Sequence, residues 1–261
     1  MLPEPVRRFW SAALELSPNA ERCDWGYVET DARFPDVWDA NNATVLTPRT
    51  DLTLDEVLDE LRPCLRAAGA RSEHIEFWEP GVDSPALREA RSIGMKDRID
   101  VVMTFEGGSS SPPAAVEVEE LREPPEDFWP WYRAGLNEFE TAVVLAEEVL
   151  DQLVARTRDV FVPAGTRFFV ARVDGERAGY ASLLRLEGVG YLDSVVTMPE
   201  YRRRGVASST VMAAVEASRS AGAEVTFLLA DDGGEPSRLY ERLGFRVASR
   251  IETLNRPLAE G

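Results

Sequence analysis

The hydrophobic and polar positions of this chain follow two periodicities. Some segments alternate strictly, as strands do, and others have helical spacing, and the order of these segments predicts a mixed α/β protein. In the second half, Val116 and Val118 alternate with glutamates as in a half-buried strand, and two stretches with helical spacing follow. Turn signals at Asp174-Gly175 and at Gly188 and Gly190 then separate three strands, which predicts antiparallel pairing. An amphipathic helix, an apolar strand, a short helix and a final strand complete this half.

These patterns also set approximate bounds. In the second half, strands are predicted at 114–121, 166–173, 177–186, 191–198, 225–230 and 245–253, and helices at 125–136, 141–157, 206–221 and 236–243. The glycine, serine and proline residues of 107–113 predict a linker, so we expect one domain at 1–110 and another at 114–261.

The first half repeats part of this order, with helices predicted at 54–68 and 84–93 and strands at 74–78 and 98–105. Its Ala68-Gly69-Ala70 helix end corresponds to Ala221-Gly222-Ala223, and its Gly94-Met95 corresponds to Gly244-Phe245. The repetition predicts that the first half is a degenerate copy of the second. Chance similarity between two α/β segments is the alternative.

Composition limits the classes of partner. The formal net charge is −17, which argues against nucleic acid because phosphate binding requires a basic face. Solubility is a sufficient reason for this acidity, so a cationic substrate is only weakly favoured. No apolar run is long enough to cross a membrane and no secretory signal is evident, so we expect a cytoplasmic protein without a membrane partner. Cys23 and Cys64 are far apart and lack nearby histidines, which predicts neither a metal site nor a disulfide.

The most informative stretch is YLDSVVTMPEYRRRGVASS, at 191–209, which joins a strand, a proline-containing turn, an arginine run and a helix. A helix N-terminus presents unpaired N–H groups and the positive end of the helix dipole, so it can bind an anion. Gly205 and Ala207 have no side chain large enough to hold a phosphate away from these groups. The stretch therefore predicts a phosphate cradle; a strand-to-helix turn with solvated arginines is the alternative.

This arrangement resembles the GNAT N-acyltransferase superfamily. The family signature, Arg or Gln followed by x-x-Gly-x-Gly or Ala, is matched by Arg202, Gly205 and Ala207 after Thr197-Met198-Pro199. The LYERLGF segment at 239–245 is similar to the family's late helix and the turn after it. The resemblance implies tandem GNAT-like folds, each a mixed, mostly antiparallel twisted sheet flanked by helices, of which the second is catalytic.

The resemblance also implies acetyl-CoA as the acyl donor. Main-chain groups of Val195, Val196 and Thr197 would pair with its pantetheine arm like an added strand. The pyrophosphate would lie against the turn and the first helical residues, which are Arg202, Arg203, Arg204, Gly205, Val206, Ala207 and Ser208. Family members often carry an Asn before the late helix, where this chain has Asp231-Asp232-Gly233-Gly234, so the contact with the cofactor arm is expected to differ.

Amine acylation requires a neutral amine, a hydrogen-bond donor for the oxyanion and a proton for the leaving thiolate. By the resemblance, Tyr240 would supply that proton and the N–H near Val196 would bind the oxyanion; core packing is the other explanation for Tyr240. Asp193 is our candidate for the base, although a solvent-facing aspartate has the same sequence signature. Its rivals are Glu138, Glu140, Asp231 and Asp232. The single histidine, His74, lies in a strand-like segment and is expected to be structural.

The first two helices usually shape the acceptor pocket in this family, so the predicted substrate contacts are Trp129, Trp131, Glu138 and Glu140. The first half lacks the corresponding chemistry, because 47–51 has no glycine and Ala90 corresponds to Tyr240. We therefore expect the first half to be a wall of the acceptor site or a packing partner. The aromatic residues that suit such a wall, or a core, are Trp25, Tyr27, Phe34, Trp38 and Trp78.

The sequence thus predicts an acetyl-CoA-dependent N-acetyltransferase that acts on a small-molecule amine by direct attack in a ternary complex, as a monomer or homodimer. The alternative is an acyl-CoA sensor or scaffold that binds the cofactor without turnover. A third hypothesis keeps the fold and changes the acyl group, for instance to succinyl or aminoacyl. The acceptor itself is not encoded by the fold, because one fold serves many substrates.

Overall fold

A computed structural model describes residues 2–46, 49–78, 84–108, 116–138 and 145–258. The chain divides into two compact units. The first unit comprises Met1–Val102, Ala230–Asp232 and Val247–Gly261, and the second comprises Met103–Leu229 and Gly233–Arg246. No helix in the described ranges combines the length and the apolar character needed to cross a bilayer.

The elements of the first half are, in chain order, α1 (Glu4–Ala13), β1 (Asn19–Cys23), β2 (Gly26–Thr30), β3 (Asn42–Val45), α2 (Leu54–Ala68), β4 (Ser72–Phe77), α3 (Pro85–Ser92) and β5 (Lys96–Phe105). Those of the second half are β6 (Glu117–Leu121), α4 (Phe128–Asn137), α5 (Glu147–Arg156), β7 (Arg167–Val173), β8 (Glu176–Leu186), β9 (Val189–Thr197), α6 (Val206–Ser220), β10 (Val225–Asp231), α7 (Glu235–Leu243) and β11 (Phe245–Pro257). The predicted helices and strands are confirmed to within a few residues at their ends. Residues 109–115 and 139–144, which include parts of the predicted linker and of the second helix, lie outside the described ranges.

The second unit is built on a sheet with the strand order β10-β9-β8-β7-β6. Strands β6 to β9 pair antiparallel, and β9 pairs parallel with β10. Phe168 and Val170 of β7 pack with α4 and α5, whereas Ala171 packs with Val206 of α6. Because neighbouring residues of a strand point to opposite faces, the α4–α5 pair and α6 cover opposite faces of this sheet.

The first unit repeats this connectivity. Strands β1, β2 and β3 pair antiparallel, α2 leads to β4, which pairs parallel with β3, and α3 leads to β5. The second half has the same order in β7, β8, β9, α6, β10 and α7. Helix α2 begins in a capping box between Thr53 and Glu56 and ends at Gly69, whose φ of 69° suits the left-handed conformation of a helix end. The predicted repeat is therefore present in the topology.

The last strand, β11, belongs for most of its length to the first unit. It pairs antiparallel with β4, from Glu252↔Phe77 to Pro257↔Ser72, and lies between β4 and β5 in the strand order. The predicted domain of 114–261 assigned this whole strand to the second half, and the compact units differ from that assignment at 247–261. Strand patterning indicates that a segment is extended but does not name its neighbour, which is why the sequence did not show this.

Asp100 on β5 is a mostly buried carboxylate beside Arg98, whose Nε lies 3.1 Å from the Asp100 Oδ1. Burial raises the pKa of Asp100 to about 6 despite Arg98, and the carboxylates of Asp231 and Glu76 add to the rise. Because the folded-state pKa exceeds the ordinary value, ionisation of Asp100 opposes folding. The stabilisation contributed by protonated Asp100 is fully present below the ordinary carboxyl pKa and is lost as the pH rises through about 6.

We therefore expect Asp100→Asn to have a higher free energy of unfolding than the parent, and the gain to be larger at pH 8 than at pH 5. The two gains should differ by about 1–2 kcal/mol. Urea unfolding at the two pH values measures this difference. Asp59→Asn, which removes an exposed carboxylate from α2, controls for the loss of one negative charge. The same effect of Asp100→Asn at both pH values would contradict the raised pKa.

Candidate active site

Strands β9 and β10 pair only over their first residues. Among the described residues, the parallel pairs run from Val189↔Val225 to Leu192↔Leu228, although β9 continues to Thr197. Main-chain groups of 193–197 that point away from β8 therefore lie beyond the last pair with β10. Backbone N–H and C=O groups need hydrogen-bond partners, so this edge suits an extended ligand that adds like a strand.

A β-bulge lies at the point where the pairing ends. Two residues of β9, Ser194 and Val195, lie opposite a single residue of β8, Ala181. Ser194 has a φ of 49°, in the left-handed region that residues other than glycine seldom adopt. Bulges bend a strand and re-aim its side chains, so this one sets the directions of Asp193 and Ser194.

Helix α6 begins immediately after β9 and an arginine-containing turn. Gly205, with a φ of 83°, is its N-cap, and no side chain among the described residues caps the helix. Ser209 is the residue whose N–H bonds back to the Gly205 carbonyl. The N–H groups of Val206, Ala207 and Ser208 precede that bond and have no partner within the helix. They form a cluster of donors at the positive end of the helix dipole.

The three arginines of the turn differ in their charge partners. Arg202 pairs with Glu138 at 3.0 Å, and Arg204 pairs with Asp174 at 3.1 Å. Arg203 is exposed, has a φ of 62° and has no ion-pair partner among the described residues. Arg203 is therefore the arginine of this turn whose charge is uncompensated next to the α6 N-terminus.

Gly179 of β8 allows α6 to approach the sheet at this place. A Cβ atom on Gly179 would lie 2.4 Å from the Val196 carbonyl oxygen and 2.6 Å from Cγ1 of Val206. The first residue of α6 and the end of β9 thus occupy the space that a side chain would need. A glycine in a strand interior often marks such a close approach, and it was the sequence signal for this contact.

Tyr240 on α7 is buried and packs against Phe245, with 6.0 Å between ring centroids. Burial raises the pKa of its phenol, and the negative charge of Asp193 adds to the rise. Its hydroxyl has no hydrogen-bond partner among the described residues. The phenol therefore keeps its proton at neutral pH, which is the state required of a proton donor.

The charge of Asp193 acts on phenols from three elements. Burial chiefly raises the pKa of Tyr240 on α7, of Tyr180 on β8 and of Tyr132 on α4, the last to about 12, and Asp193 adds to each rise. Ser194 Oγ donates to its Oδ2 at 3.1 Å. The structure thus brings together two residues that the sequence analysis singled out, Asp193 and Tyr240, at the end of the β9–β10 pairing.

The sequence of this region matches a known family. Residues 118–245, just under half of the chain, match the model of the acetyltransferase (GNAT) family. We refer to these residues as the GNAT domain. The predicted signature of Arg202, Gly205 and Ala207 lies inside it, as do Asp193 and Tyr240.

Solved structures extend the likeness over the whole chain. A GCN5-related N-acetyltransferase from Kribbella flavida, 18% identical, aligns with a TM-score of 0.67 over 99% of this chain and 98% of its own. A functionally unknown protein from Staphylococcus epidermidis ATCC 12228, 12% identical, aligns with a TM-score of 0.72 over 92% of this chain and 94% of its own. A tandem GNAT protein from the clavulanic acid biosynthesis pathway, 15% identical, covers 79% of this chain and 70% of its own with a TM-score of 0.54. At these identities the likeness concerns the fold, which is a tandem GNAT fold. Among curated proteins, none matches this sequence.

The predicted substrate contacts of the GNAT domain lie in different surroundings. Trp129 is buried against Tyr132 and Phe168, with centroid distances of 5.9 and 6.2 Å, and this position gives it a packing role. Trp131 is half-buried, with its ring 5.2 Å from Tyr180 and the Arg177 guanidinium 5.7 Å above it. Contact of either tryptophan with an acceptor stays a prediction.

The rival carboxylates are engaged with arginines. Glu138 pairs with Arg202, as described above, whereas Glu140 lies outside the described residues. Asp231 pairs with Arg98 at 2.8 Å, and Asp232 pairs with Arg250 at 3.1 Å. Asp231 and Asp232 belong to the first unit by their contacts, and Asp193 and Tyr240 belong to the second.

In the first unit, the aromatic residues Trp25, Tyr27, Phe34 and Trp78 are buried, as core packing requires, and Trp38 is 43% exposed. Ala90, the counterpart of Tyr240, is fully buried. Thr47 and Pro48, in the segment that corresponds to the cradle, lie outside the described residues. The role of this unit as a wall or packing partner stays a prediction.

His74 is nine-tenths buried in the first unit and lies within hydrogen-bond distance of two residues. Its Nδ1 is 3.4 Å from Asn255 Nδ2, and its Nε2 is 3.4 Å from Glu76 Oε1. His74 and Glu76 each place one possible ligand atom within 4.8 Å of Asp39, but Glu76 also accepts a bond from Trp78. These hydrogen bonds favour the structural role predicted for His74.

Sequence reasoning missed four residues of this site: Tyr132, Tyr180, Ser194 and Gly179. Only Gly179 had a sequence signal, because the apolar surroundings of the two tyrosines predict core packing and Ser194 has no unusual neighbours. Tyr180 also depends on Gly135 of α4, where a Cβ atom would lie 2.7 Å from the tyrosine ring.

We expect Gly179→Ala to lower the free energy of unfolding by about 1–3 kcal/mol, because the added methyl group forces apart β9 and the first turn of α6. The same displacement would weaken binding of an anion at the α6 N-terminus. Thermal unfolding and a titration with acetyl-CoA measure the two effects. Unchanged stability together with unchanged affinity would contradict the close approach at Gly179.

Proposed function

We propose that this chain is an acetyl-CoA-dependent N-acetyltransferase that acetylates the amine of a small molecule by direct attack in a ternary complex. The observation that carries the proposal is the convergence of three features within the GNAT domain. These are the β9 edge beyond the last β10 pair, the uncapped α6 N-terminus, and the nearby Asp193 and Tyr240.

The residues of this site suit acetyl-CoA, the proposed acyl donor. The main-chain groups of Val195, Val196 and Thr197 would pair with the amide groups of the pantetheine arm, as an added strand does. The N–H groups of Val206, Ala207 and Ser208 would hold the pyrophosphate, because unpaired donors and the helix dipole both favour an anion there. Arg203 would contribute the uncompensated positive charge.

Bound acetyl-CoA supplies a thioester whose carbonyl carbon is open to attack by a neutral amine. An amine enters mostly as its ammonium form, so a base must first remove a proton. We assign this role to Asp193, because its charge acts on Tyr240 and it lies at the bulge of β9, whereas Glu138, Asp231 and Asp232 pair with arginines. The carboxylate oxygen of Asp193 would accept the proton directly or through a water molecule.

Tyr240 would hold the second proton of the reaction at its phenol oxygen. Burial and Asp193 raise its pKa, so the phenol is protonated when the carbon–sulfur bond breaks and can protonate the leaving sulfur. The N–H near Val196 would donate to the carbonyl oxygen as negative charge develops on it. The acceptor ammonium loses two protons in all. The first goes to Asp193 before attack, and the second leaves the nitrogen as the carbon–sulfur bond breaks and replaces the proton that Tyr240 gives to sulfur.

The cradle is tested by Ala207→Glu, which places bulk and negative charge at the first turn of α6. We expect calorimetric titration to show acetyl-CoA binding to the parent and a loss of at least about tenfold in affinity in the variant. Ala221→Glu makes the same change at the exposed C-terminal end of α6 and should bind like the parent. Equal affinity in all three proteins would contradict the cradle, and no binding by the parent would contradict the donor.

The chemistry is tested by Tyr240→Phe, which removes one hydroxyl from a buried ring. We expect kcat to fall by about 10²–10⁴-fold with a panel of primary amines, because general acid catalysis contributes that much. The affinity for acetyl-CoA should not change, and Tyr201→Phe, beside the cradle, serves as the matched control. Binding without turnover in the parent would favour a sensor or scaffold. Full turnover in Tyr240→Phe would remove the phenol from the mechanism.

A further inference from the structure

Behind Asp193 lies a row of hydroxyl groups, Ser194, Tyr132 and Thr157, which we call the hydroxyl row. Ser194 Oγ lies 3.1 Å from Asp193 Oδ2. Tyr132 is buried and has its Oη 3.2 Å from Thr157 Oγ1. The row thus runs from the start of the π-helical turn Thr157–Phe161, past α4, to the bulge of β9.

The donors and acceptors of these hydroxyls can be assigned from their partners. Thr157 Oγ1 donates to the Leu153 carbonyl at 3.0 Å, so its hydrogen is used and Tyr132 donates to Thr157. An ionised carboxylate accepts only, so Ser194 must donate to Asp193. The hydroxyl hydrogen that points toward the carboxylate is therefore that of Ser194.

The backbone of Ser194 adopts an unfavourable conformation at the bulge of β9. A φ of 49° costs about 1–2 kcal/mol for a residue with a side chain, and glycine would adopt it without strain. The main chain of Asp193 is also held, because Ser182 Oγ donates to its carbonyl oxygen at 3.0 Å. Both the main chain and the carboxylate of Asp193 are therefore fixed by serine hydroxyls, on either side of the bulge.

We propose that Ser194 is a positioning residue for acyl transfer, whose hydroxyl fixes the orientation of the Asp193 carboxylate. This inference rests on the proposed function, in which Asp193 is the base. Its physical consequence is twofold. The carboxylate is aimed in one direction, and its ionised form is stabilised by a donated hydrogen bond.

The groups that face Asp193 determine the sign of the expected pH effect. Phenols face it from α4, β8 and α7, at Tyr132, Tyr180 and Tyr240, and Ser194 adjoins it on β9. These phenols stay protonated and do not titrate near neutral pH. Removal of the Ser194 hydroxyl therefore takes away stabilisation of the carboxylate, which raises its pKa and moves the acidic limb of the pH–rate profile to higher pH.

The experiment compares the parent with Ser194→Ala, Ser194→Gly and Tyr132→Phe. We expect kcat of both Ser194 variants to fall by about tenfold to a hundredfold with KM for acetyl-CoA unchanged. The acidic limb of kcat/KM should move up by about one pH unit in both Ser194 variants. It should stay in place in Tyr132→Phe, the control, which removes a hydroxyl that bonds Thr157 rather than Asp193. Ser194→Gly relieves the strained φ, so we expect this variant to fold even if Ser194→Ala does not. Coincident pH profiles of parent and Ser194→Gly would overturn the inference.

A readout without turnover separates this inference from the proposed function. The Asp193 carboxyl carbon can be followed by ¹³C NMR in aspartate-labelled protein, and Asp193→Asn identifies its signal. A higher titration midpoint in Ser194→Gly than in the parent would support the positioning bond, even in a protein that acetylates no amine on the panel. An unchanged midpoint would overturn the bond, even in an active transferase.

Discussion

The early end of the pairing between β9 and β10 is the constraint on which the rest of the site depends. Beyond Leu192↔Leu228 the two strands no longer share a ladder, and a bulge at Ser194 turns the end of β9. Main-chain N–H and C=O groups that lack a neighbouring strand cost free energy unless a ligand or solvent forms hydrogen bonds with them. The same irregularity lies beside Asp193, whose charge acts on the phenol of Tyr240, so the open edge and the proposed catalytic pair share one structural cause.

The cradle follows from how closely α6 approaches this strand. Gly179 leaves the room in which Val206 contacts the end of β9, and Gly205 adopts the left-handed conformation that lets the helix begin directly after the arginine turn. Two glycines thus bring the free N–H groups of the first turn next to the open edge. Arg202 and Arg204 are tied to acids at the periphery, which leaves Arg203 to complement an anionic ligand. Donors without a partner inside the helix therefore lie next to the open edge of β9.

The sequence was sufficient for features that depend on neighbouring residues. The start of a helix at Gly205, the helix of Tyr240 and the repeated order of elements could all be predicted, because caps, turns and periodicity are local. Other features depend on tertiary pairing. The neighbour of β11, the bulge at Ser194 and the hydroxyl row have no local signature, since extended residues reveal neither their partner nor their register. The role of Trp129 could not be assigned from the sequence, because an aromatic residue beside an expected pocket is also what a core requires.

The central claim is that the edge of β9 beyond Leu192 receives the pantetheine arm of acetyl-CoA, and residue-resolved amide hydrogen exchange tests it most directly. The account predicts that the amides of 193–197 that point away from β8 exchange rapidly in the free protein and become protected when acetyl-CoA is added. Amides of 167–173 in β7, within the same sheet, serve as an internal reference whose protection should not change. Strong protection of the β9 edge before the ligand is added, or no change at saturating acetyl-CoA, would contradict the account.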